Sequence, residues 1–260
     1  MGKRKIPNYS YDVTLIRTNL FRVLIGLGVK QARPHLILLL KEKRQKITIY
    51  DFDPSRFNNF IQTIKKTFSE FKQSIFSLHL GFYQSKECPH FHAHFILDIN
   101  DYIKIVARNY QKIEKGFLKE LEEWPYRLLE EGQKYKTLDI KTIYNLKDSK
   151  NNGLPTISKN YSIIFHHDQP RIGFIPNKSG PNHNNLRDLI IAMMEFINNY
   201  KLQDKKVGGC HLCIQNNLWI DKQFKLPGFI QIDPFNFYKI NPNRNKWLEN
   251  FKESNYLVLT

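Results

Sequence analysis

Residues 89–97, PHFHAHFIL, set three histidines at alternate positions: His90, His92 and His94. An extended chain sends successive side chains to opposite faces, so these imidazoles share one face while Phe91, Ala93 and Phe95 share the other. The apolar set belongs against a core. The polar set must meet water, a hydrogen-bond partner, a metal or a ligand, since burying each ring unpaired costs about 1–3 kcal/mol. Three uses of the strand stay open on residue type alone. Neutral imidazoles ligate zinc, and three of them with an open position make a catalytic arrangement. A neutral imidazole near pH 7 is also a good nucleophile toward phosphorus and a competent leaving group afterwards. The third use is a solvent-facing strand that happens to carry histidine. No carboxylate or distant histidine is clearly placed to complete a ligand set, so no metal is assigned.

The elements that must position these rings can be read from the chain before them. RPHLILLLKE is short, aliphatic and ends in charge, the pattern of a buried strand. In DPSRFNNFIQTIKKTFSEF, Asp53 can cap and Pro54 fits the first turn. Phe57, Phe60, Ile61, Ile64, Phe68 and Phe71 then recur at helical spacing as a core stripe. SIFSLHLGFYQ alternates as a strand, SKECP turns, and the histidine strand follows. The local order is strand, helix, strand, strand. Residues 101–134 mix charge with apolar positions and read as a helical connector with a break near Trp124-Pro125, and LKDSKNNGLPTISKN marks a loop near residues 146–160. The expected organisation is a catalytic half over 1–100, a connector over 101–160 and a second half over 161–260.

That second half resembles the first. QPRIGFIPNKSG can be laid on ARPHLILLLKEK, NNLRDLIIAMMEFINNY on the Phe57 helix, GGCHLCIQNN on FSLHLGFYQS, and LPGFIQIDPFNFYKI on CPHFHAHFILDINDYIKI. With this overlay the histidine positions become Gly228, Ile230 and Ile232, and the second half is degenerate.

Composition narrows the classes. The chain has 260 residues, 41% of them apolar, enough for a real core. Forty basic against 24 acidic residues give a formal charge of +16, which admits a polyanion such as nucleic acid as partner, although the basic residues are spread rather than grouped. Three cysteines, Cys88, Cys210 and Cys213, are too few and too unevenly placed for a disulfide framework, so a reducing, intracellular setting, cytoplasmic or nuclear, is expected. The start MGKRKIPNYS lacks the apolar region of a signal peptide, and LFRVLIGLGV and HLILLL fall short of a membrane span. Cys210-His211-Leu212-Cys213 has half the spacing of a zinc site but no second pair, and reads better as a strand with small buried thiols. His166-His167 reads as surface loop. No Walker-type loop or dinucleotide glycine fingerprint is present, and no cofactor is expected.

The run His90-Phe91-His92-Ala93-His94-Phe95-Ile96 resembles the signature of the histidine-triad (HIT-like) nucleotide hydrolases and transferases, and PHLILLLK resembles that family's upstream strand with a histidine at its start. The resemblance covers about residues 30–100. It implies an α+β fold: an antiparallel sheet with flanking helices, in two HIT-like halves. It also implies that His92 attacks the α-phosphorus of a nucleotide conjugate, that His90 orients the nucleophile, and that His94 holds or protonates a phosphate oxygen. His35, Ser85 and Lys86 would then contact substrate. Histidine at the third position is similar to the hydrolase branches, whereas a duplicated layout is similar to the uridylyltransferase and phosphorylase branch. The partner implied is a nucleotide or nucleotidyl conjugate, with no membrane, in a monomer if the halves are duplicated and otherwise a homodimer. The competing expectation is a non-catalytic nucleotide- or nucleic-acid-binding protein of the same fold.

Overall fold

In a computed structural model of the chain, the structure describes residues 13–26, 35–41, 47–72, 74–80, 91–109, 161–167, 169–176, 186–202, 210–216 and 228–253. The expected connector beyond Asn109, the loop near 146–160, and His90, Ser85 and Lys86 lie outside them. The chain divides into two compact units, Met1–Phe76 with Ser85–Ile143 and Ser77–Gln84 with Tyr144–Thr260. Both are α+β, and every strand pair of described register is antiparallel.

The first unit contains β1 (Thr14–Arg17), β2 (Phe21–Ile25), β3 (His35–Leu40), α1 (Pro54–Glu70), the start of β4 (Ser74–Leu80), β5 (His92–Leu97) and α2 (Ile99–Arg108). The expected strand–helix–strand–strand order holds. Asp53 accepts the backbone N–H of Arg56 at 2.8 Å and so caps α1, with Pro54 at its first position. Phe57, Phe60, Ile61 and Ile64 are buried on its inner face, whereas Phe68 and Phe71, at the helix end, are only half-buried. Phe60 sits 5.7 Å from Phe21, 5.6 Å from Phe91 and 5.8 Å from Phe76, centroid to centroid, and Phe76 sits 5.3 Å from Phe95. These tilted and edge-on ring pairs each add about 0.5–1.5 kcal/mol beyond the area they bury. The helix therefore covers one sheet face, the face of Phe91, Ala93 and Phe95. The other face is left to the histidines.

The second unit contains β6 (Tyr161–Phe165), β7 (Arg171–Pro176), α3 (Leu186–Asn199), β8 (Cys210–Gln215), β9 (Gly228–Ile232), α4 (Pro234–Ile240) and α5 (Arg244–Glu253). Its pairing, β6 with β7, β7 with β9 and β9 with β8, repeats the β2–β3–β5 connectivity of the first unit, with a helix in the same place in the order. The registers of the two ladders can be compared. Leu36 stands opposite Phe95 and Ile172 opposite Ile230, so with Leu36 laid on Ile172 the counterpart of Phe95 is Ile230, and that of His94 is Phe229. The capping residues agree, since Asp98 begins α2 as Asp233 begins α4. So does burial: Phe95 and Ile230 are both 0% exposed. Gly228 then matches Ala93, two small residues beneath a helix. A Cβ at Gly228 would lie 3.1 Å from Met193 Sδ and 3.2 Å from Leu189 Cδ2 of α3. This comparison by register differs by three residues from the overlay by sequence, which laid His94 on Ile232.

Cys210 and Cys213 are buried, free thiols on β8. Among the described residues no helix is long and apolar enough to cross a membrane.

Candidate active site

Strand β5 alternates half-buried His92, His94 and Ile96 with buried Ala93, Phe95 and Leu97. The alternation is the local consequence of sequence; what surrounds the rings comes from the ladder. His92 lies opposite Leu39 and His94 opposite Ile37 on β3, and Ile37 lies opposite Leu24 on β2. Leu24, Ile37 and Leu39 form a contiguous apolar patch that is buried, each 9% exposed or less. On the same face as this patch stand the imidazoles.

The His94 ring is central. Its centroid is 5.2 Å from that of His92, edge to face, and 5.1 Å from that of His35. His35 reaches it from the first position of β3, one diagonal step along the ladder, since His35 pairs with Ile96. The structure thus brings His35, His92 and His94 together. Among the described residues no group of three or more histidine, cysteine or acidic side chains is arranged to hold a metal ion.

Two residues that the sequence reading passed over hold His35. Gly26 follows β2, and its N–H donates to the His35 carbonyl at 2.9 Å. A Cβ there would fall 2.5 Å from His35 Nε2 and 2.7 Å from its carbonyl oxygen, so the ring occupies space that only glycine leaves. Tyr102 of α2, fully buried, donates its hydroxyl to the Gly26 carbonyl at 2.7 Å. Burial pushes the Tyr102 phenol far above its usual range, so it stays a neutral donor. The available signal for Gly26 was a glycine at the end of an aliphatic strand, which often marks a close approach. For Tyr102 there was none, since one tyrosine in an amphipathic helix is ordinary.

The Cys-His-Leu-Cys segment lies in the second unit and serves packing. His211 Nδ1 is 3.4 Å from Ser77 Oγ, and Cys213 Sγ is 3.7 Å from the same oxygen. Burial pushes the Cys213 thiol up to about 11, although the Ser77 hydroxyl and Arg171 pull it partway back. These thiols are protonated near neutral pH, the wrong state for a nucleophile or a ligand. His166 and His167 stack on each other at 4.8 Å, with His167 exposed.

No protein-family model and no curated protein matches the chain. Among solved structures it is similar to a GalT-like protein from Arabidopsis thaliana, at 12% identity and a TM-score of 0.46 over 85% of this chain and 78% of that one. It is also similar to an ADP-glucose phosphorylase from Arabidopsis thaliana with bound ADP-glucose, at 13% identity and a TM-score of 0.44 over 85% and 76%. A third similarity is to a uridylyltransferase, at 13% identity and a TM-score of 0.38 over 76% and 62%.

Proposed function

We propose that the chain is a histidine-triad-like enzyme that moves a nucleotidyl group through a covalent nucleotidyl-histidine. The observation that carries this reading is the contact of the half-buried His94 ring with both His92 and His35 beside the patch of Leu24, Ile37 and Leu39. A phosphate has charge to set against neighbouring imidazoles.

In this mechanism a neutral His92 nitrogen attacks the α-phosphorus and a P–N bond forms as the bond to the leaving group breaks. His94, protonated, gives its proton to the departing atom or to a phosphate oxygen. Water then attacks the same phosphorus, the P–N bond breaks, and the nucleoside monophosphate leaves. An acceptor other than water completes transfer instead. His90 orients the nucleophile; His35, Ser85 and Lys86 contact substrate. No step calls for a cofactor.

The test is mass spectrometry of the protein mixed with a panel of nucleotide conjugates. A nucleotidyl adduct on His92, absent from His92→Ala while nucleotide affinity persists, is the expected result. Affinity without adduct or turnover in the native chain supports the second reading, a nucleotide- or nucleic-acid-binding protein, which the +16 charge favours.

A further inference from the structure

Helix α4 buries Asn236 and Phe237, which leaves Phe235 and Lys239 exposed and Tyr238 half-buried on its other side, at i, i+4 and i+3. Its phase is fixed at both ends. Asp233 accepts the Asn236 N–H at 3.0 Å, and the Phe237 ring packs 4.8 Å from Trp247 of α5, whose indole N–H donates to the Gln169 carbonyl at 3.3 Å. Phe235 is thereby left 66% exposed, the most open large apolar side chain among the described residues.

A lone exposed ring is ordinary. What sets this one apart is that a cation is placed on it and another on its neighbour. The Lys239 ammonium lies 4.0 Å from the Phe235 centroid, and the guanidinium of Arg244, at the start of α5, lies 5.7 Å from that of Tyr238. The Tyr238 hydroxyl donates to Asn245 Oδ1 at 3.3 Å, which ties that ring to the same end of α5. Lys239 and Arg244 are both exposed. The Asp233 carboxylate is taken up in capping α4, through the Asn236 N–H and side-chain amide, and Glu249, five residues beyond Arg244, is turned well around α5 from it. Basic residues are spread along the chain; the packing of α4 on α5 collects these two beside two rings.

We propose that this α4–α5 surface binds a single-stranded nucleic acid, with a base stacked on Phe235 and flanking phosphates held by Lys239 and Arg244. An unpaired base presents a flat apolar face to an open phenyl ring, and the phosphates beside it carry the charge that an ammonium and a guanidinium match. Side chains three apart on a helix stand about 5–6 Å from each other at Cβ, so neighbouring nucleotides of one strand can engage both rings. A duplex keeps its bases inside the stack and offers Phe235 nothing. A bilayer calls for a broad apolar helix face, whereas α4 is seven residues long and exposes one phenylalanine. The charge of +16 attracts polyanions in general; the rings select among them. None of these residues belongs to the histidine strand, so the proposal stands or falls apart from the His92 mechanism.

Fluorescence anisotropy of the full chain with a short labelled oligodeoxythymidylate at low salt tests it. Phe235→Ala, at an exposed position that folding does not need, is expected to weaken binding roughly tenfold, as loss of one stacked base does, and Phe235→Trp to keep it. Arg244→Gln should lower the magnitude of the slope of log affinity against log salt by about 0.7, one phosphate contact on a single strand. Lys65→Gln/Lys66→Gln, which removes two exposed cations from α1, should leave affinity nearly unchanged. Equal losses from that pair and from Lys239→Gln/Arg244→Gln would reveal attraction to overall charge and overturn the surface, as would a Phe235→Ala protein that binds like the native chain. Preference for the same oligonucleotide annealed to its complement also overturns it. So does failure to bind the oligonucleotide, whether or not phosphatidylserine vesicles bind in its place.

Discussion

The ring of His35 fills the space where a side chain on Gly26 would begin: a Cβ there stands 2.5 Å from His35 Nε2. Because the conflict includes the His35 backbone oxygen at 2.7 Å, rotating the ring alone cannot relieve it. Gly26→Ala is expected to move the start of β3, to lower stability by about 1–3 kcal/mol as overpacking does, and to weaken nucleotide binding by displacing His35 from His94. Urea unfolding and nucleotide titration on the same variant check it. Unchanged stability and affinity together would show that the site tolerates the displacement.

Tyr102 supports this arrangement from outside the sheet, through its hydroxyl on the Gly26 carbonyl at 2.7 Å. Tyr102→Phe keeps the ring and removes only that donor. A loss of about 1–2 kcal/mol is expected, typical of a buried hydrogen bond deleted from one side. Its effect on His92 adduct formation should be smaller than that of Gly26→Ala, since Gly26 and His35 still bond through their backbones. Equilibrium unfolding and adduct yield measure the two parts.

The buried thiols give the second unit an alkaline limit. Desolvation, the larger cause, and the neighbouring Cys213 push the Cys210 thiol up from 9.0 to about 12, and Cys213 is pushed up to about 11. Raised values mean that the folded chain keeps protons that the unfolded chain releases first. The stabilisation is therefore whole below about pH 9 and is lost as pH rises through the folded values. Tyr161, pushed up to about 12 by burial and by Asp188, acts in the same direction. Urea midpoints should fall from about pH 9 to pH 11, and less steeply in a Cys210→Ala/Cys213→Ala protein. A slope identical in the two proteins would assign the alkaline loss to other groups.

Helix α1 carries the core face that fixes the sheet, and Asp53 caps it through the Arg56 N–H at 2.8 Å. Asp53→Ala is expected to cost about 1 kcal/mol, and Asp53→Asn much less, because the amide oxygen can accept the same bond. Chemical denaturation of the two variants separates the cap from the loss of charge. Equal destabilisation by both would point to charge.

What the sequence determined about this protein is local. Alternation along β5 put His92 and His94 on one face, and a capping aspartate, a first-turn proline and a phenylalanine stripe announced α1, because periods of 2 and 3.6 are set by neighbouring residues alone. The tertiary structure decided which strand lies beside which. Ladder register brought His35 to His94 and set Arg17 against Arg22 in line with His92. Register follows from turn closure and helix packing between segments far apart in the chain, and a slip of one residue would turn every side chain to the opposite face. Gly26 and Tyr102 became legible only then, since a glycine shows its purpose when the ring that fills its place is known.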